Sequence, residues 1–99
     1  MARFRAYKMA SSKLLVLDLQ ADLLDDLKTR VIVPLYPVAE LSWSMPRLNP
    51  RFAIRGELHV MATQRMAAVP AQDLGELVAD LSAYRDEILA ATDFLFQGF

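Results

Sequence analysis

His59 is the only histidine of the chain, and there is no cysteine. Thiolate nucleophiles, disulfides and sulfur-ligated metals are therefore excluded at the outset. A lone imidazole between Leu58 and Val60, inside a strand-like run, is expected on the polar face of that strand, in a structural rather than a catalytic role. Asp18, Asp22, Asp25 and Asp26 form the densest acidic cluster. Their spacing lacks the alternating ligands and central glycine of a calcium loop, so the cluster reads as a solvated turn. No metal or organic cofactor is expected. The sequence carries no Gly-rich phosphate loop, no G-x-S-x-G elbow and no H-E-x-x-H helix, and with them go the commonest signatures of catalysis.

Two other groups of residues suit recognition. Arg47, Arg51 and Arg55 lie in a stretch from Met45 to Arg55 that holds no acid, and eight of the eleven basic residues are Arg. The planar guanidinium favours carboxylate and phosphate partners. The stretch reads either as a solvated loop face or as a docking surface, with Trp43 beside it, for an acidic partner segment or a short single-stranded RNA. At the other end, Phe94, Leu95 and Phe96 are consecutive. On a helix they spread over roughly 200° of circumference, so at least one ring must look outward. Gln97, Gly98 and Phe99 follow, and a terminal Phe either tucks back onto the domain or serves a partner interface.

The elements that position these residues are mostly strands. Phe4 to Met9, Lys13 to Leu19 and Thr29 to Leu35 are rich in aliphatic and aromatic residues and are separated by turn formers. Ser11-Ser12 predicts a hairpin, while Pro34 and Pro37 predict that the third strand ends near Val33 or Leu35. Glu40 to Arg51 shows neither period and reads as the longest loop. Phe52 to Ile54 and Leu58 to Ala62 flank Arg55-Gly56, a second hairpin, and Val69 to Leu74 is a weaker last strand closed by Gly75. Leu81, Tyr84, Ile88, Ala91 and Leu95 form one helical stripe, with Ser82 as N-cap, Asp86 and Glu87 near the positive end of the dipole, and Gly98 as the stop.

The totals agree with a small mostly β domain, residues 1–99, carrying one C-terminal α-helix. A chain of 11.2 kDa is expected to expose roughly 5,700 Å² when folded, about a third of its unfolded surface. The apolar content of 55% exceeds that of an ordinary soluble domain and predicts a second buried surface, such as a subunit interface. A net charge of −1 argues against coating of nucleic acid through its phosphates. No apolar run approaches a membrane span and the start does not read as a signal peptide, so a cytoplasmic location is expected.

The stretches Gln20 to Asp25, Arg30 to Leu35, Met66 to Pro70 and Val78 to Ser82, with the helix ending in Phe96-Gln97-Gly98-Phe99, together resemble the CcdB-type toxins of bacterial toxin–antitoxin modules over nearly the whole chain. The resemblance implies an SH3-like β-barrel of the type shared with the MazF toxins, a homodimer, no catalysis, and poisoning of DNA gyrase by binding its A subunit and trapping cleaved DNA. It also implies neutralisation by a CcdA-type antitoxin. Carried over position by position, the gyrase contacts fall at Leu23, Leu24, Asp93, Phe96, Gln97, Gly98 and Phe99. Gln97 stands where the family has Trp, and Asp93 where better-known members have an amide. A same-fold homologue that binds antitoxin but poisons gyrase weakly is the second reading, and an endoribonuclease of the same fold the third. Trp43, Arg47 and Arg51 are the expected antitoxin-binding residues.

Overall fold

The computed structural model describes residues 2–99. Seven strands, β1 (Arg5–Met9), β2 (Leu15–Asp18), β3 (Thr29–Pro37), β4 (Arg51–Ile54), β5 (Glu57–Met61), β6 (Ala67–Pro70) and β7 (Leu74–Asp80), precede one helix, α1 (Arg85–Gln97). The strands form one sheet in the order β4-β5-β3-β2-β1-β7, with β6 beside the first half of β3. Every pairing is antiparallel. The sheet curls into a half-barrel, and Arg55 in the β4–β5 turn reaches Glu76 on β7 at 3.2 Å. Both hairpins expected from Ser11-Ser12 and Arg55-Gly56 are present. Arg55 and Gly56 both have positive φ, 50° and 80°, as a two-residue reversal of mirror-image type requires.

β3 runs on to Pro37, past the end expected from its prolines. The reason is a change of partner: β6 pairs with Thr29 to Ile32 and β5 with Leu35 to Pro37. Pro34 stands in the gap between them. Its carbonyl accepts from the Ala62 amide at 2.9 Å on that side, and its missing N–H is lost where no ladder bond is due. The single weak strand expected over Val69 to Leu74 is two strands, β6 and β7, parted by a 3-10 turn at Ala71–Asp73. Gly75 lies inside β7 rather than closing it. A Cβ there would sit 2.9 Å from the Lys8 carbonyl oxygen and 3.3 Å from the Ala10 Cα, so the glycine permits close approach to β1.

Two apolar clusters lie on opposite faces of the central strands. Ala6, Leu17, Val33 and Leu35 face the larger one, together with Phe52, Ile88 and Ala91. Their neighbours Tyr7, Val16 and Ile32 face the smaller one with Leu74. Burial on both faces explains why β2 and β3 read as continuous apolar runs without a clean period of two. The helical stripe is as expected for Ile88 and Ala91, which are buried; Leu81 is buried too but lies ahead of the helix, before a 3-10 turn. Tyr84 packs its ring on Phe52, centroids 5.0 Å apart, and Leu95 is half-buried. Ser82 is not the N-cap: Ser82–Tyr84 form a 3-10 turn, α1 begins at Arg85, and the carboxylate of Asp80 accepts from the Ser82 amide at 2.9 Å.

Candidate functional site

Three groups of exposed residues are held by different means. The first is the end of α1. Phe96 is 71% exposed and Phe99 76%, beyond the last buried residue of the helix, Ala91. Gly98 adopts φ 80° and donates its amide to the Phe94 carbonyl at 2.9 Å. This is a left-handed helix end, and it sets the direction in which Phe99 leaves.

The second group is the loop between β3 and β4. Trp43 is 60% exposed, and Arg51 donates to the Ser44 hydroxyl at 3.3 Å. Arg47, although exposed, lies against the helix, its guanidinium 4.4 Å from the centre of the half-buried Phe94 ring. Stacking of a cation on an aromatic face supplies attraction without a carboxylate. The loop is pinned from behind by Asn49, which is buried. Its amide nitrogen donates to the Met61 carbonyl at 2.9 Å and to Gln64 Oε1 at 2.7 Å, while its oxygen accepts from the Met45 amide at 3.0 Å. The Thr63 hydroxyl adds a bond to the Leu48 carbonyl.

These two groups meet. A depression of about 320 Å³ is lined by Pro46, Arg47 and Pro50 from the loop and by Glu87, Asp93 and Phe99 from the helix and its tail. Thus Arg47 of the expected antitoxin surface and Asp93 and Phe99 of the expected gyrase surface share one hollow. The structure leaves Leu23 and Leu24 outside it, on a 3-10 turn at Asp22–Leu24 between β2 and β3. Leu23 is 95% exposed, and Leu24 and Leu27 are about half exposed.

Of the acidic cluster, Asp22, Asp25 and Asp26 lie exposed on a turn as expected, and Asp18 does not. Asp18 is fully buried, and its Oδ2 accepts both Nε and Nη2 of Arg30, at 3.0 and 2.6 Å. Asp18 Oδ1 accepts the Gln20 amide at 3.0 Å, and Asp25 accepts Nη1 of Arg30 at 2.8 Å. Burial pushes the Asp18 carboxyl above its ordinary range, against the pull of Arg30 and of the Gln20 amide. The only sequence signal for this pair was a polar residue in each of two apolar runs, which register then brings onto one face: Asp18 stands opposite Ile32, two residues from Arg30. His59 likewise does not face open solvent. It is buried, with Nδ1 3.0 Å from the Glu57 carbonyl oxygen and Nε2 3.6 Å from the Glu57 carboxylate. It lines a groove of about 540 Å³ inside the half-barrel with Lys8, Lys13, Arg55 and Glu40. Among the described residues, no group of three His, Cys, Asp or Glu side chains is placed to hold a metal, and no helix is long and apolar enough to cross a membrane.

A family model described as CcdB protein matches residues 3–98. The chain belongs to the CcdB family. It is accordingly a toxin of the toxin–antitoxin kind, and its half-barrel sheet with one C-terminal helix is the architecture that the family resemblance implied. Within a CcdB-type frame, the outward Phe96 and Phe99, the turn bearing Leu23 and the loop residue Trp43 are the most exposed of the large apolar groups left outside the core. Asn49 was not singled out from the sequence, nor was Phe94 as the partner of Arg47. Phe94 was legible only as one of three adjacent apolar residues, and Asn49 resembles any other polar loop residue.

Proposed function

We propose that this toxin poisons DNA gyrase: as a homodimer in the cytoplasm, it binds the A subunit and traps the enzyme with its DNA cleaved. The observation that carries the reading is the pair of exposed aromatic rings at the helix end, Phe96 on the last turn of α1 and Phe99 beyond the left-handed Gly98. Large apolar groups in that setting lower their free energy by meeting a partner. Leu23 and Leu24 add a second apolar contact, and Asp93 and Gln97 its polar rim. The action is binding without catalysis or cofactor, and the chain acts as one domain of residues 1–99. A disordered acidic segment of a CcdA-type antitoxin neutralises it at a surface that includes Trp43, Arg47 and Arg51. Gyrase rather than free nucleic acid is the target, in keeping with the net charge of −1.

Gyrase-mediated DNA cleavage, with thermal unfolding in parallel, tests the reading on the wild type, on a variant lacking residues 97–99, and on Gln97→Trp. The truncated protein is expected to melt like the wild type and to trap no cleaved DNA, and Gln97→Trp to trap more. Equal trapping by the truncated protein would remove the tail from the poisoning element. Gln97 itself favours the second reading, an antitoxin-binding homologue with weak poisoning, because an amide lacks the stacking face of an indole. Growth arrest on controlled expression, relieved by resistant gyrase, distinguishes the two.

A further inference from the structure

The turn from Ala21 to Lys28 buries none of its side chains, although three of them are leucines. A segment with no apolar anchor of its own is ordinarily mobile. Here polar groups behind it do the anchoring. Arg30, 1% exposed, lies between the fully buried Asp18 and the half-exposed Asp25 and donates to both. The Gln20 side chain, also buried, takes the Val31 amide on its oxygen at 3.1 Å and gives its nitrogen to the Leu24 carbonyl at 2.9 Å. From the other side, the Arg3 amide donates to Asp22 Oδ1 at 2.8 Å, and Arg3 Nε donates to the Leu19 carbonyl at 3.0 Å. The next residue, Phe4, is held at φ 68°, a strained value for a bulky side chain. Its amide is tied to the Asp18 carbonyl at 2.7 Å. Strain persists where the surroundings over-determine a conformation.

We infer that Arg30, Asp25 and Gln20 are positioning residues for partner recognition: they hold the turn rigid so that Leu23 and Leu24 meet the gyrase A subunit already ordered. This rests on the gyrase reading above. Buried ion pairs seldom add net stability, and in some proteins they serve instead to fix one conformation. Ordering the turn in the free toxin removes an entropic cost that binding would otherwise carry.

Asp25→Ala is the informative variant, because Arg30 keeps Asp18 and the sheet keeps its buried pair. Three quantities are measured: amide hydrogen exchange of residues 22–27, the thermal midpoint, and affinity for a gyrase A fragment by calorimetry. Exchange in the turn is expected to quicken about tenfold or more, the midpoint to stay within about 3 °C of the wild type, and the affinity to fall roughly tenfold. Asp25→Asn, which keeps an acceptor for Arg30 Nη1, is expected to restore most of the affinity. Unchanged exchange in Asp25→Ala overturns the inference whatever gyrase does. Faster exchange with undiminished affinity overturns it too, provided Leu23→Ala binds weakly. Leu23→Ala binding like the wild type instead shows that this turn is no gyrase contact, which refutes the Leu23 assignment and the recognition role together.

Discussion

The buried pair of Asp18 and Arg30 shows how a single residue's setting decides its chemistry. An acid raised by desolvation binds its proton more tightly folded than unfolded. Its contribution to stability is therefore fully present below the ordinary value of 3.8 and is lost as pH rises through the raised folded value. Asp18→Asn removes this dependence but leaves the buried guanidinium with one carboxylate. Asp18→Ala, which also takes the oxygen acceptors away from Arg30, is expected to lose about 3–5 kcal/mol at neutral pH by denaturant titration. Adding Arg30→Met should recover about 1 kcal/mol or more, since an uncharged side chain carries no desolvation penalty. Gly98 is the other residue whose type is dictated. A Cβ there meets nothing within 4 Å, yet φ is 80°. Holding Gly98→Val at this φ would cost about 1–2 kcal/mol, which fraying of the last, exposed helical turn is expected to relieve. Weaker gyrase binding with a nearly unchanged thermal midpoint would be the signature of a misdirected Phe99.

Among the elements, α1 depends on a support outside its own range. No side chain caps it at Tyr84. Asp80, at the end of β7, instead accepts from Ser82 and faces Arg5 at 3.9 Å. The Ser82 amide and hydroxyl hold the Asp80 carboxyl below its ordinary 3.8, with Arg5 assisting. For a depressed acid the sign is opposite to that of Asp18. The stabilisation is complete above 3.8 and is lost as pH falls through the lowered folded value. Asp80→Ala is expected to cost about 0.5–1 kcal/mol at neutral pH, measured by thermal unfolding, and to cost less as the pH is taken below that range. An undiminished cost in strong acid would show that the hydrogen bond to Ser82 is not the source. The Arg47–Phe94 stack is a different sort of support, tying the loop to the helix face beside Asp93 and Phe99. Part of Arg47 is thus already engaged before any antitoxin arrives.

For the whole molecule, a surface of 5,920 Å² is close to the roughly 5,700 Å² expected for a folded chain of this mass. The Cα radius of gyration of 12.6 Å likewise matches the roughly 13 Å of a compact chain this long. The apolar surplus is therefore not absorbed by an unusually large core. Its most exposed members lie at the turn of Leu23, at the tail of Phe96 and Phe99 and at Trp43, with Leu24, Leu27, Met45, Leu58, Leu77 and Tyr84 exposed to a lesser degree. A twofold dimer can bury such groups in pairs or present them in pairs to a twofold target. Light scattering at micromolar concentration is expected to give about twice the chain mass of 11.2 kDa, and a mass near the single chain would refute the dimer. In a dimer, Phe99→Ala removes two rings, which should weaken gyrase binding by about 3–6 kcal/mol in titration calorimetry. A change below threefold would mean that Phe99 serves the Arg47 hollow instead.

What the chain determined locally was legible without coordinates. The hairpin at Arg55-Gly56 follows from the positive φ that Gly tolerates, the buried Ile88 and Ala91 of α1 from a period of 3.6, and the helix end from Gly98. The ordered blocks from Gln20 to Phe99 also carried the family resemblance. What tertiary structure decided was every feature that depends on register or on a change of partner. Pro34 is allowed inside β3 because two short strands share that side. β6 and β7 separate because the chain must leave one edge of the sheet and pair at the other. Asp18 is buried because β2 and β3 set it on one face with Arg30, twelve residues away in sequence. Likewise Arg47 reaches Phe94 only across the folded domain. A charged or polar side chain declares nothing about its partner when that partner lies far along the chain. For this reason the anchoring of the Leu23 turn and the meeting of loop and helix became visible only in three dimensions.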